Sequence, residues 1–119
     1  MKNTSIISIE GMEFFAYHGC FAEEQVIGTK FRVDLFLRVD TTLAEESDRL
    51  QDTVNYQAVY QFVKIEMRIN SKLLEHVGRR ILNRIKAEFP TVGSARVKIC
   101  KLNPPLGGKM EFVSVELEG

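Results

Sequence analysis

The stretch "KFRVDLFLRVD", Lys30–Asp40, alternates without a break. Phe31, Val33, Leu35, Leu37 and Val39 fall on one side of an extended chain; Arg32, Asp34, Phe36 and Arg38 fall on the other. A period of two with one apolar side predicts a strand with one buried face. The polar run that follows, Thr41–Asn55, reads as a turn region with room for a short helical turn. From Tyr56 the period changes. Tyr56, Val59, Tyr60, Val63 and Met67 form a helical stripe, with Asn55 placed to cap it. A second helix is expected after Ser71, another good capping residue. Leu73, Val77, Ile81, Ile85 and Phe89 recur along it at every fourth position, flanked by Leu74 and Leu82, and Pro90 stops it.

Towards the N-terminus, "SIISIEGMEFFAY" alternates through Ile7 and Ile9. Gly11 interrupts, and Met12, Phe14 and Ala16 resume the alternation, as expected of a long strand bulged or bent near the glycine. "HGCFAEEQVIGTK" connects it to the Lys30–Asp40 strand. Towards the C-terminus, "SARVKIC" and "EFVSVELE" are two further strands, separated by "KLNPPLGGKM", whose prolines and glycines forbid regular structure. The order β-β-α-α-β-β predicts an α+β fold, an antiparallel sheet with two helices on one face. The opposite face carries Arg32, Asp34, Arg38, Arg96, Lys98 and Glu116. It either meets water or lines a hydrated interior in an assembly.

A chain of 119 residues fits a single domain, 1–119. Its zero net charge argues against nucleic acid or an acidic membrane surface as a partner. No run of membrane-span length occurs, and the N-terminus lacks the apolar stretch of a signal peptide. Cys20 and Cys100 form no C-x-x-C pair and have no histidine cluster at ligand spacing, so no metal site is expected. They read as free thiols in a reducing, cytoplasmic setting. Arg79-Arg80 reads as a solvated helix face.

Antiparallel topology then groups side chains by the end of the molecule they share. Lys101 ends the third strand and has the parity of Ala95, Val97 and Ile99, so it points towards the helices. Glu75, in the first turn of the second helix, and the connection carrying Glu23 and Glu24 are expected at the same end. Tyr56 opens the first helix at the other end, ~20 Å away. If it joins the cluster, it comes from another subunit. Singly, each residue has an ordinary reading. Glu75 complements a helix dipole, Lys101 is a solvated strand end, and Tyr56 is a core aromatic. His18 is a turn residue with a local hydrogen bond, and Cys100 is a strand residue.

The stretches "GMEFFAYHGCFAEEQVIGTKF", "SDRLQDTVNYQAV", "LLEHV" and "KLNPP", in this order and at these spacings, resemble the signature of the dihydroneopterin aldolase family. The likeness runs from about Ile6 to Leu117. It implies the tunnelling fold, a homo-octamer of two stacked tetrameric rings that close their sheets into barrels, and active sites at subunit boundaries. It also implies retro-aldol cleavage of 7,8-dihydroneopterin without a metal, a Schiff base or a cofactor. By resemblance Lys101 is the acid/base, Tyr56 assists proton transfer, and Glu24 lies near the substrate side chain. Glu75 grips the pterin, Leu74 and Val54 offer backbone contacts, and Thr53 lines the pocket. Two other activities fit the same fold: a dihydroneopterin triphosphate epimerase and a non-catalytic pterin or purine binder. The connection "YHGCFAEEQVIG" has no basic residue for a triphosphate and resembles the aldolases. Gly78, inside the second helix, costs about 1 kcal/mol relative to alanine; it either permits close packing or is tolerated.

Overall fold

The computed structural model describes residues 4–119; the first three residues of the expected 1–119 domain lie outside the described residues. Strand β2 (Thr29–Asp40) lies inside the sheet, between β1 (Thr4–Ala16) and β3 (Val92–Leu102), with β4 (Phe112–Glu118) outside β3. All neighbours are antiparallel. The alternation in β2 is decisive because both of its edges are paired. Phe31, Val33, Leu35, Leu37 and Val39 are all buried, each contributing about 2 kcal/mol of apolar transfer before conformational entropy is charged against it.

In β1 the pairing register shifts between Ile9 and Met12, and Gly11 there has φ 73°. The extra residue is what lets odd-numbered Ile7 and Ile9 and even-numbered Met12, Phe14 and Ala16 face the same core. Without it one set would turn outward. The Gly11 amide donates to Asp34 Oδ1 at 2.6 Å across the sheet.

Two helices cover one face: α3 (Tyr56–Met67) contacts β1, and α4 (Leu74–Glu88) contacts β3 and β4. Asn55 caps α3, its side chain accepting from the Gln57 amide at 3.0 Å. Ser71 is not the expected N-cap of α4: the helix begins at Leu74, and Leu73, half exposed, occupies the cap position. Ser71 is engaged elsewhere, its hydroxyl with His76 Nδ1 at 2.7 Å and Arg80 Nη2 at 3.0 Å. Arg80 is also not solvated. It donates to Glu66 Oε1 and to the Glu66 and Ile69 carbonyls, tying α4 to the end of α3. Gly78 permits close packing, since a Cβ there would lie 2.8 Å from Leu117 Cδ1.

Both polar connections hold short helices, α1 (Ala22–Ile27) and α2 (Thr42–Ser47), the latter followed by a 3-10 turn at Leu50–Asp52. Neither α1 nor α2 has a buried residue, so neither leaves an apolar period in the sequence.

Candidate active site

Lys101 is paired in register with Phe31 on β2 and Val113 on β4, on the core side of the sheet. Its parity carries it inward where the core ends, and it is 8% exposed. A buried ammonium needs partners. Lys101 Nζ donates to the Glu24 carboxylate and, at 3.4 Å, to the His18 carbonyl.

Glu24 reaches Lys101 from α1, and the chain is built to let it. Gly19 faces Glu24 so closely that a Cβ on it would lie 2.6 Å from Glu24 Cβ. Gly28 ends α1 with φ 73°, returning the chain into β2. Gln25 Nε2 donates to the Gly19 carbonyl at 2.8 Å, closing the loop on itself. The hydrogen bond from Lys101 holds the Glu24 carboxyl below the usual carboxylate range, opposed by partial burial and helped by the Phe21 amide.

His18 immediately precedes Gly19 and is not the turn residue expected from the sequence. It is 1% exposed, with its ring edge-on to Phe31 at 5.2 Å between centroids. Its Nδ1 accepts from the Ser71 amide at 3.1 Å, which places the ring proton on Nε2. Burial, then the Arg80 charge, pushes its pKa down to about 4; the nearby Met67 carbonyl opposes this and the Lys101 charge adds to it.

Together His18, Glu24, Gly28, Thr29, Lys101 and Asn103 line a cavity of about 200 Å³. The arrangement joins a proton donor to an ionised carboxylate beside an open space, which suits proton transfer to and from a small molecule.

The remaining expected site residues divide into two groups. The segment leading into α4 is joined to the Lys101 end by Gly19 N to Ser71 O at 3.0 Å and Cys20 Sγ to Lys72 O at 3.4 Å. Leu74 is half-buried and Glu75 exposed in the first turn of α4. The carboxylate that pairs with Lys101 is nevertheless Glu24, not Glu75. Tyr56, Val54 and Thr53 lie elsewhere. Tyr56 is 65% exposed beside Ile9, Tyr60 and Gln61. Thr53 and Val54 line a cleft with Val39. Lys101 pairs with Phe31 at one end of β2 and Val39 lies at the other, a separation of ~26 Å along the strand. One chain therefore does not bring the two groups together.

Cys20 and Cys100 are free thiols, exposed and buried respectively. Among the described residues no cluster of side chains could hold a metal ion, and no helix is long and apolar enough to cross a membrane.

Sequence reasoning missed His18 and Gly19 as parts of this site. Glycine after histidine in "YHG" was the available signal, since a glycine facing a glutamate marks a close approach.

Fold and pocket define a class: an α+β protein with a single four-stranded antiparallel sheet and a lysine–carboxylate pair at the end of its core. Residues 7–118 match the family model described as FolB, dihydroneopterin aldolase. The dihydroneopterin aldolase of Staphylococcus epidermidis is 42% identical over 113 residues, covering 94% of this chain and 93% of that relative. That of Streptococcus pyogenes serotype M18 is 42% identical over 116 residues, covering 94% and 95%. The solved structure of the Escherichia coli dihydroneopterin aldolase in complex with neopterin superposes with a TM-score of 0.89 at 23% identity, over 97% of this chain and 98% of that one. The chain belongs to the dihydroneopterin aldolase family.

Proposed function

We propose that the protein is a 7,8-dihydroneopterin aldolase, cleaving the substrate's C1′–C2′ bond to give 6-hydroxymethyl-7,8-dihydropterin and glycolaldehyde in folate biosynthesis. The observation that carries this reading is the part-buried Lys101–Glu24 pair beside a cavity, in a chain 42% identical to relatives bearing that name. The C2′ hydroxyl loses its proton, the C1′–C2′ electrons flow into the N5=C6 imine of the ring, and the resulting enamine is protonated at C1′. The substrate's own imine is the electron sink, so neither a lysine Schiff base nor a metal is required. That Lys101 already donates to a carboxylate and a carbonyl supports an acid/base role over condensation with a carbonyl.

Glu24 orders Lys101 and the substrate side chain. Glu75 grips the 2-amino-pyrimidinone edge through paired N–H bonds, at a helix N-terminus that favours its ionised form. Leu74 and Val54 add backbone contacts and Thr53 lines the pocket. Tyr56, with Val54 and Thr53, comes from a neighbouring subunit. Their separation from Lys101 within the chain supports that division, as does the 65% exposure of Tyr56. The assembly is a homo-octamer of two tetrameric rings, in which the free edges of β1 and β4 pair between subunits and the polar sheet face lines a tunnel. The setting is cytoplasmic, in keeping with free Cys20 and Cys100.

Re-addition of glycolaldehyde on the opposite face makes C2′ epimerisation a side reaction. A triphosphate substrate is disfavoured. Besides Lys101, which Glu24 already holds, the charged residues lining the cavity are Glu23 and Glu24, which repel phosphate.

Incubating purified protein with dihydroneopterin, without added metal, is expected to release both products; epimer alone contradicts the assignment. Lys101→Ala is expected to bind pterin within about threefold of the parent while turnover falls by about 100-fold or more. Equal loss of binding and turnover contradicts the role given to Lys101.

A further inference from the structure

We propose that His18 is a positioning residue: its imidazole, clamped by the Ser71 amide, fixes the backbone carbonyl that holds Lys101 Nζ in line with Glu24. The inference rests on reading Lys101 as the proton-transfer group.

Lysine has a long, flexible stem, and holding its tip in one place costs side-chain entropy. Here the tip has two anchors, the Glu24 carboxylate and the His18 carbonyl. Glu24 is on a six-residue helix with no buried residue, a weakly anchored element. The His18 carbonyl belongs to a residue secured on three sides. Its ring packs against Phe31, which is the register partner of Lys101 itself. Its Nδ1 accepts the Ser71 amide at 3.1 Å. The next residue, Gly19, donates back to the Ser71 carbonyl at 3.0 Å.

Ser71 is in turn fixed through Arg80 Nη2 and its bond to Glu66. The chain of contacts runs from the helix pair to Lys101 through His18, and it crosses nothing that touches the cavity except His18 and Lys101. The His18 carbonyl that accepts from Lys101 Nζ is the link through which His18 acts. The Nδ1 acceptor is the directional hold on this residue, and the ring contact with Phe31 adds packing.

Two amide substitutions separate these contributions. The oxygen of His18→Asn superposes on Nδ1, whereas that of His18→Gln superposes on Nε2. His18→Asn is expected to keep kcat within about threefold. His18→Gln is expected to lose about tenfold or more in kcat with KM changed by less than about threefold, the cost of an unpaired buried amide falling on Lys101 placement. Acetic anhydride labelling of Lys101, read by mass spectrometry, supplies an arm independent of turnover. Labelling is expected to stay slow in the parent and in His18→Asn, and to rise severalfold in His18→Gln.

A His18→Gln protein that matches the parent in both readouts overturns the proposal, as does an equal decline in both variants. If the parent itself fails to cleave dihydroneopterin, the assignment of function falls, while the labelling pattern still decides the role of His18. If His18→Gln does not fold, His18→Phe takes its place with the same expectation, since it keeps the ring but offers no acceptor. In the parent, imidazole ¹⁵N shifts are expected to show Nδ1 unprotonated; a proton on Nδ1 overturns the clamp without any variant.

Discussion

At Gly19 the absence of a side chain is what brings Glu24 to Lys101. A methyl group there would sit within 2.8 Å of three Glu24 atoms, Cβ among them. Because Cβ is fixed to the backbone, the clash is relieved only by moving α1. Gly19→Ala is therefore predicted to lower kcat by about tenfold or more while leaving Tm within a few degrees, since α1 buries no core residue. Parent-like kcat in that variant would show that the close approach is incidental.

His18 makes the stability of the molecule depend on pH. Its pKa is lowered from 6.5 to about 4 on folding, first by burial, so the unfolded chain binds a proton that the folded chain refuses. Its contribution is fully present above pH 6.5 and is lost as pH falls towards 4, amounting to on the order of 3 kcal/mol. Urea midpoints measured across that window should fall with acid more steeply in the parent than in His18→Asn.

Lys101 was legible in the sequence, because strand parity alone turned it inward. His18 was not, since one histidine between a tyrosine and a glycine carries no periodicity that reports burial.

Among the elements, those that bury a face were readable and those that do not were silent. β2 and α3 announced themselves by period. The bulge in β1 was visible as a glycine at the break in alternation. α1 bears Glu24 yet shows no apolar period, and the sequence placed its residues in an irregular connection. The start of α4 was misjudged by two residues because Ser71 has the chemistry of a cap but uses it on His76 and Arg80.

α4 also depends on Gly78, where the helix approaches β3 and β4. A valine there adds bulk against Leu117, with Ile99 and Val97 3.6 Å from its Cβ position. Gly78→Val is predicted to destabilise by about 2 kcal/mol, read as a lower urea midpoint with unchanged slope. An unchanged midpoint would mean that the glycine is only tolerated.

For the whole molecule, topology alone foretold that Tyr56 and Lys101 lie at opposite ends, and the structure keeps them there. Their meeting across a subunit boundary is the proposed step, and no pattern within one chain encodes the partner's geometry. That step is also the centre of the account, because it makes each active site a property of two subunits. Subunit complementation tests it. Lys101→Ala and Tyr56→Phe proteins, each nearly inactive alone, are unfolded together, refolded as mixed assemblies and assayed for glycolaldehyde release. If each site takes Lys101 from one subunit and Tyr56 from its neighbour, random mixing at equal amounts restores roughly a quarter of the parental activity. Activity no greater than that of the separate variants, in assemblies shown to be mixed, would contradict the shared site.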